Sequence, residues 1–275
     1  MPRTTPQRRS RLHEGTHAEE CSGTRSVERA LRLLRELSSR GEFGWRLSDL
    51  AEQVELDRGT CHRLLACFVK EGYAQRQADD LKYYPGQLLY EMGLVFPRFD
   101  ALREQVDPLL HQLAAGTRCI ASFSLRSGND AVCVFQQRAG LEMSGMLIKV
   151  GSRRPLVTCV GGLAMLQQLP AGGRERILLD NHRREFARGG ERRIENLERM
   201  RRRSDVHGFG FTLGDLAPGL AALAVPIRDA QGLPFAALTL TGTDKTMGEC
   251  NVREFHAIAL AAAQEMEARG HEHLR

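Results

Sequence analysis

The sequence predicts an α+β protein of two domains, and three observations carry that reading. Within residues 25–87 the pattern runs helix, helix, tight turn, helix, short hairpin. Beyond Gly116 the hydrophobic period shortens to strand-like segments separated by turn residues, which gives way to helices and then returns. Finally, 275 residues exceed one typical small domain and fall short of three.

In order, residues 1–24 lack an apolar stretch and read as a disordered tail rather than a secretory signal. The segment SVERALRLLRELSS follows, with Val27, Ala30, Leu31, Leu34 and Leu37 at helical spacing behind a Ser26 cap. A Gly41–Gly44 break leads to LSDLAEQV, where Leu47, Leu50, Ala51 and Val54 form the next stripe and Ser48 is a candidate cap. Glu55, Leu56 and Asp57 then separate it from RGTCHRLLACFVKEG, which Asp57 can cap by accepting from Gly59 or Thr60. Cys61, Leu64, Leu65 and Phe68 make the buried stripe of this third helix, so Gly59, His62, Arg63, Ala66 and Lys70 face outward. Arg58 and Thr60 sit at its free N-terminal turn. Gly72 ends it, and YAQRQADDLKYYPG reads as two short strands around Asp79 and Asp80. This is the winged helix-turn-helix order, assigned to residues 25–87.

Residues 88–99 read as a linker helix, interrupted near Pro97 and more apolar than a free linker needs, which implies burial against a partner. Residues 100–270 form the second domain. RCIASFSLRSG, DAVCVFQQRAG and SGMLIKVGS read as strands. VTCVGGLAMLQQL, GGRERILLDNHRREFA and ERRIENLERMRRRSDVHG read as helices. GFGFTLGD, LAALAVPIRDAQG and LPFAALTLTGT read as strands with a hairpin turn at Ala230–Gly232, before a last helix from about Glu249 to Arg269. The resulting sheet is mainly antiparallel.

Composition narrows the function classes. With 42% hydrophobic and 27% charged residues, and apolar stretches well short of about 18 residues, the chain is a soluble cytoplasmic protein with no membrane partner. Seven cysteines (Cys21, Cys61, Cys67, Cys119, Cys133, Cys159, Cys250) without a C-x-x-C pair indicate buried or tail thiols, with neither a disulfide framework nor a zinc site. The net charge of +5 permits nucleic-acid binding without locating it. The run Arg199, Arg201, Arg202, Arg203 ends an amphipathic helix and reads as a solvated face that meets the helix dipole. An enzymatic reading would need convergent acid, base or nucleophile groups. The histidines give no metal pair within a core helix, and the one acid–base pair in reach is His207 with Asp215. No catalytic residue, metal or cofactor is expected.

On these residues the chain, from about Ser26 to Ala268, resembles the IclR (isocitrate-lyase-regulator) family of bacterial transcription regulators. The motifs that carry the resemblance are SVERALRLLRELS, LSDLAEQVELDRGTCHRLLACFVKEGYAQR, VGSRRPLVTCVGGLAML, GLAALAVPIRDAQG and ALTLTGT. It implies a winged helix-turn-helix joined by a linker helix to a GAF-like effector-binding domain, in homodimers or tetramers. The family's recognition helix usually opens with a basic residue, Ser and Thr before an Arg; here Arg58, Gly59, Thr60 and Arg63 hold those positions, and Gly59 removes one hydroxyl. For the effector the resemblance points to Thr158, Cys159, Val160 and Gly161 at a helix start, Asp215 and Gly219 in a loop, and Thr239 and Thr241 on a late strand. Two departures, Gly162 for a common Lys and Ala222 for a common Cys, imply a roomier, less polar pocket.

The mechanism expected is physical. An exposed helix N-terminus fits the major groove, where Arg58 or Arg63 can hold guanine O6 and N7, discriminating by about 1–3 kcal/mol per base pair. Thr60 and the first amides would hold phosphate, His62 lies on the same outward face, and Arg76, Lys82 and Tyr83 are wing candidates. The partners expected are a palindromic double-stranded operator and a small-molecule effector, an organic or aromatic acid held at the helix start near Cys159–Gly161. The alternative is an effector-independent DNA-binding regulator of the same fold.

Overall fold

The computed structural model describes residues 24–138, 148–248 and 251–269. Helix α1 (Arg25–Leu37) is followed by a 3-10 segment at Ser38–Phe43, α2 (Leu47–Gln53), α3 (Arg58–Lys70) and the wing strands β1 (Ala74–Arg76) and β2 (Tyr83–Pro85). The wing is antiparallel, with Ala74 opposite Pro85 and Arg76 opposite Tyr83. Trp45 extends it by exchanging backbone hydrogen bonds of 2.9 and 2.8 Å with Tyr83. Its indole N–H donates to the Glu36 carbonyl at 3.1 Å, which ties the end of α1 to the wing.

The core beneath these elements joins Leu33, Leu37, Trp45, Leu50, Val54, Cys61, Leu65 and Tyr83. The second and third helices bury the stripes their spacing predicts, whereas α1 does so only at its end, where Leu34 packs on the core and Leu37 is fully buried. Leu33 is fully buried and Val27 and Leu31 are each 56% exposed, so the buried seam runs beside the predicted one. Both predicted caps also move. Ser26 lies inside α1 and Ser48 inside α2, with Thr24 and Arg46 at the two N-cap positions.

Helix α4 (Gln87–Gly93) buries none of its residues. Leu94–Phe96 break the chain before α5 (Pro97–Thr117), because the residue before a proline is pushed out of the helical region; Phe96 sits at φ −110°, ψ 77°. Leu94, Val95 and Phe96 are exposed.

The second sheet has six antiparallel strands in the order β5-β4-β3-β8-β7-β6. These are β3 (Ile120–Ser127), β4 (Asp130–Arg138), β5 (Arg153–Pro155), β6 (Gly210–Leu213), β7 (Leu220–Arg228) and β8 (Pro234–Thr243). Helices α5 and α8 (Val252–Arg269) pack on one face over Phe123, Leu223, Val225, Leu238 and Leu240. The other face carries α6 (Val160–Gln167) and α7 (Ala171–His207) over the small residues Ala222, Ala224 and Ala237. The period-two alternation along β7 and β8 thus assigns bulk to one face and closeness to the other.

That closeness is extreme at the start of α6. A Cβ on Gly162 would stand 2.1 Å from the Leu156 carbonyl oxygen, and one on Gly210 would stand 2.1 Å from that of Val160. Backbone meets backbone there, which only glycine permits.

Two strand and helix expectations change. The first residues of SGMLIKVGS lie outside the described residues, and its end forms a turn, with Gly151 N–H donating to the Cys133 carbonyl at 2.8 Å; the strand begins only at Arg153. The two helices predicted across 172–208 form one run bent at Gly190, whose φ of 61° and ψ of −159° are non-helical. The hairpin turn expected at Ala230–Gly232 is held by Asp229, whose carboxylate accepts from the backbone of Gln231 and Leu233 at 2.9 Å each.

Candidate functional site: an exposed helix face and a cavity

Asp57 adopts an extended conformation before α3 and accepts from the Thr60 backbone N–H at 2.8 Å. Hydrogen bonds from Thr60, through its hydroxyl and then its N–H, followed by the charge of Arg63, hold the Asp57 carboxyl below its usual value. Arg63 in turn donates to the Thr60 hydroxyl oxygen at 3.1 Å, which folds its guanidinium toward the helix start. Arg58, Gly59, His62, Arg63 and Lys70 are exposed and Thr60 is half-buried. Among the described residues Arg58 and Arg63 form no ion pair. A Cβ at position 59 would lie 3.3 Å from the Asp57 carboxylate, so Gly59 fits close beside the cap.

The wing is more occupied. Arg76 is exposed, donates to the Leu81 carbonyl at 3.4 Å and lies 5.6 Å over the Tyr83 ring. Lys82 donates to the Phe43 carbonyl at 3.0 Å and stands 3.5 Å from Asp80. Tyr83 is corrected as a nucleic-acid contact: at 4% exposure its ring belongs to the core under the wing.

A cavity of about 100 Å³ opens between the sheet, α6 and α7. Ile120 and Ser122 of β3, Ala222 of β7 and Thr239 and Thr241 of β8 line its sheet side. Register makes that side continuous, since Ser122 is opposite Thr239 and Ile120 opposite Thr241. Gln136, Ile148, Arg154, Thr158, Cys159, Val160, Arg193, Leu197, Leu216, Ala217 and Leu220 complete the lining.

Thr158, Cys159, Val160, Thr239 and Thr241, expected here, do line the cavity. Three others do not. Gly161 lies behind Thr239, where a Cβ would be 3.1 Å from the threonine hydroxyl. Asp215 is turned away, accepting from Arg203 at 3.1 Å and the Thr212 hydroxyl at 3.2 Å. Gly219 serves the turn into β7, at φ 76°, with its carbonyl accepting from Asp244 at 3.0 Å. Of the two departures, Ala222 lines the cavity, while Gly162 is a packing residue with no room for a side chain on this backbone. Asp215 also does not meet His207, whose ring packs on Phe211 and Phe209 at 4.7 and 5.4 Å.

Sequence reasoning missed Ser122, Gln136, Arg154 and Arg193. Ser122 left a signal: IASFSLRS alternates apolar residues with Ser122 and Ser124, which marks a polar row on one face of β3. The arginines left none, because charged residues flank most turns of this chain.

Burial pushes the Cys159 thiol up, and burial together with nearby Cys159 pushes Cys133 up to about 12. Both are neutral thiols, unsuited to nucleophilic work. Gln136 is committed, donating to the Ile148 carbonyl at 2.6 Å and accepting from Arg138. Arg193 is clamped by Glu185, which is fully buried and also accepts from Arg188 at 3.0 Å. Arg188 reaches 3.6 Å from Glu36 on α1, so the cavity wall and the N-terminal domain share a line of alternating charges. The arginine run is a solvated face only in part: Arg201 pairs with Glu198 and Asp205 near the surface, whereas Arg203 pairs with Asp215, whose side chain is 5% exposed. Among the described residues no His, Cys, Asp and Glu cluster could hold a metal ion, and no helix is long and apolar enough to cross a membrane.

Comparison with known proteins agrees with this architecture. Residues 26–78 match the IclR helix-turn-helix domain and residues 99–268 the bacterial transcriptional regulator IclR C-terminal domain. The chain is 25% identical over 256 residues to the HTH-type transcriptional regulator BhcR of Paracoccus denitrificans, covering 92% of this chain and 89% of that one. It is 26% identical over 272 residues to the transcriptional repressor IclR of Escherichia coli, covering 95% of each. Among solved structures, an IclR family regulator from Brucella abortus superposes with a TM-score of 0.71 at 18% identity, over 94% of this chain and 96% of that one. An IclR homolog from Microbacterium hydrocarbonoxydans, complexed with 4-hydroxybenzoate, superposes with a TM-score of 0.61 at 22% identity, over 88% and 98%. With both halves matched in order, the chain belongs to the IclR family of DNA-binding transcription regulators.

Proposed function

We propose that this regulator acts in the cytoplasm as a homodimer that sets α3 of each protomer into the major groove of a palindromic operator, and that a small molecule in the cavity modulates its DNA affinity. The observation that carries the DNA reading is the N-terminal face of α3, where Arg58 and Arg63 stand exposed and without ion pairs among the described residues. Either can make a bidentate contact to guanine, while Thr60 and the first amides hold phosphate. Arg76 and Lys82 supply further backbone contacts from the wing. The exposed Tyr90, Leu94, Val95 and Phe96 support dimerisation through the linker, since a monomer would leave this apolar segment in water.

The effector reading rests on a cavity in the domain that does not carry the DNA-reading helix. An organic or aromatic acid fits, as the positive end of the α6 dipole lies at the cavity wall that Cys159 and Val160 line. That a homolog of the same fold is complexed with 4-hydroxybenzoate supports this class. Binding would bias the angle between linker helices and so the spacing of the two α3 helices, which must match a helical turn of DNA.

The test is a mobility shift on DNA upstream of the chain's own gene at fixed salt, because phosphate contacts make affinity steeply salt-dependent. The wild type gives a discrete complex that survives nonspecific competitor, and Arg63→Ala weakens it by roughly tenfold or more while leaving the thermal midpoint unchanged. Equal binding by Arg63→Ala overturns the role given to α3.

A further inference from the structure

We propose that Arg154 is the residue that recognises the effector, and that the effector is a small monocarboxylate with an apolar body and a second polar group read by Ser122 and Thr239. This rests on the effector reading above and narrows it.

The lining contains two guanidinium groups and no carboxylate, so it rejects cations and takes anions. The two arginines are not equivalent. Arg193 is already answered by fully buried Glu185, so its charge is spent. Arg154 has no hydrogen bond or ion pair among the described residues. Its neighbour Arg153 shows the contrast, pairing with Asp130 at 3.2 Å, where Arg184 also pairs at 3.0 Å. Successive residues of a strand point to opposite faces, so β5 sends Arg153 to that carboxylate and Arg154 to the cavity. One half-buried, unanswered positive charge calls for one negative charge, and the bidentate fork of arginine favours a carboxylate.

The second observation is independent of charge. Ser122 and Thr239 are 4% and 5% exposed, line the cavity opposite one another in the β3–β8 ladder, and their hydroxyls have no hydrogen-bond partner among the described residues. Buried hydroxyls are almost always partnered, so these two await a polar atom of a ligand. Between them and Arg154 the wall is apolar, with Ile148, Val160, Leu197 and Leu220 among its members. At about 100 Å³ the cavity has room for a small organic molecule rather than a single water. A dicarboxylate would set its second charge against apolar side chains, since Arg193 is already paired with Glu185.

The experiment titrates the full chain by calorimetry with three sets of compounds. These are the monocarboxylates 4-hydroxybenzoate, pyruvate and lactate, the dicarboxylates terephthalate and succinate, and the neutral amide 4-hydroxybenzamide. At least one monocarboxylate binds, at least tenfold more tightly than the dicarboxylates and the amide. Arg154→Met weakens it tenfold or more with no change in thermal midpoint, and Thr239→Val weakens it severalfold. Equal binding by Arg154→Met, or tighter binding of a dicarboxylate or the amide, overturns the proposal and leaves an effector site standing. If no compound binds the wild type, the effector reading falls with it.

Discussion

On the proposed function, the face of α3 and the cavity under α6 would perform recognition by opposite constructions. The first is written on one helix of 13 residues, with its cations in water and a single cap, Asp57, holding the turn that presents them. The second draws one or two residues from each of seven helices and strands, and keeps its hydroxyls out of water. DNA presents a large, fixed array of charges, so a regulator needs only to offer complementary groups on an accessible ridge. A small molecule must be surrounded, and surrounding it requires close packing of the whole domain. Function and stability are therefore separable on α3 and entangled around the cavity.

Substitutions at three positions probe that contrast, in descending order of effect. Gly162→Ala forces a methyl group against the Leu156 carbonyl, where the Cβ would lie 2.1 Å away. Overpacking of this kind costs about 3 kcal/mol or more, and for a domain of this size the midpoint falls by roughly 6–12 °C by scanning calorimetry. An unchanged midpoint would show that the α6 start yields easily and that the cavity is no more rigid than the helix face.

A smaller loss is expected from Asp57→Ala, while Asp57→Asn, which can still accept from Thr60, stays near the wild type. The folded carboxyl is held below the ordinary value of 3.8, so its contribution is complete above that value and disappears as the pH falls through the lower folded one. The gap between wild type and Asp57→Ala should accordingly shrink from about pH 5 toward about pH 2 in thermal melts. A gap that widened with acidification would reverse the sign and refute the cap.

Least of all should change in Arg201→Ala. Its partners Glu198 and Asp205 lie on the same surface helix, and exposed pairs contribute at most about 1 kcal/mol. Operator affinity should hold within roughly twofold in a salt titration. A clear loss, with a shallower salt slope, would make the arginine run a second DNA surface and blur the division between the two regions.

The same contrast explains which parts of the molecule the sequence made legible. Helix α3 could be read residue by residue, cap included, because its signals lie within four positions of one another. The stripe of α1 misled because its helix has apolar residues on more than one face, and only packing against Trp45 and α3 decides that Leu33 rather than Leu31 goes inside. Strand β5 is three residues long, too short for any period to mark it. Around the cavity, Thr158, Cys159, Val160, Thr239 and Thr241 came from resemblance to a family pattern. Asp215 came from the same source and turned out to serve Arg203 and Thr212. The pairing of Arg193 with Glu185, the solitude of Arg154 and the meeting of Ser122 with Thr239 depend on register and tertiary approach, and no local pattern encodes them.

The backbone contacts at Gly162 and Gly210 also bear on how such a regulator can change over generations. Where main chain rests on main chain there is no side chain to trim or exchange, so the packing behind α6 offers mutation almost nothing to work with. Inheritance can remodel the cavity only through the side chains that line it, from β3, β4, β5, β7, β8, α6, α7 and the loops between them. A lineage of this protein is thus free to alter the lining of the cavity while the backbone seat of α6 stays fixed.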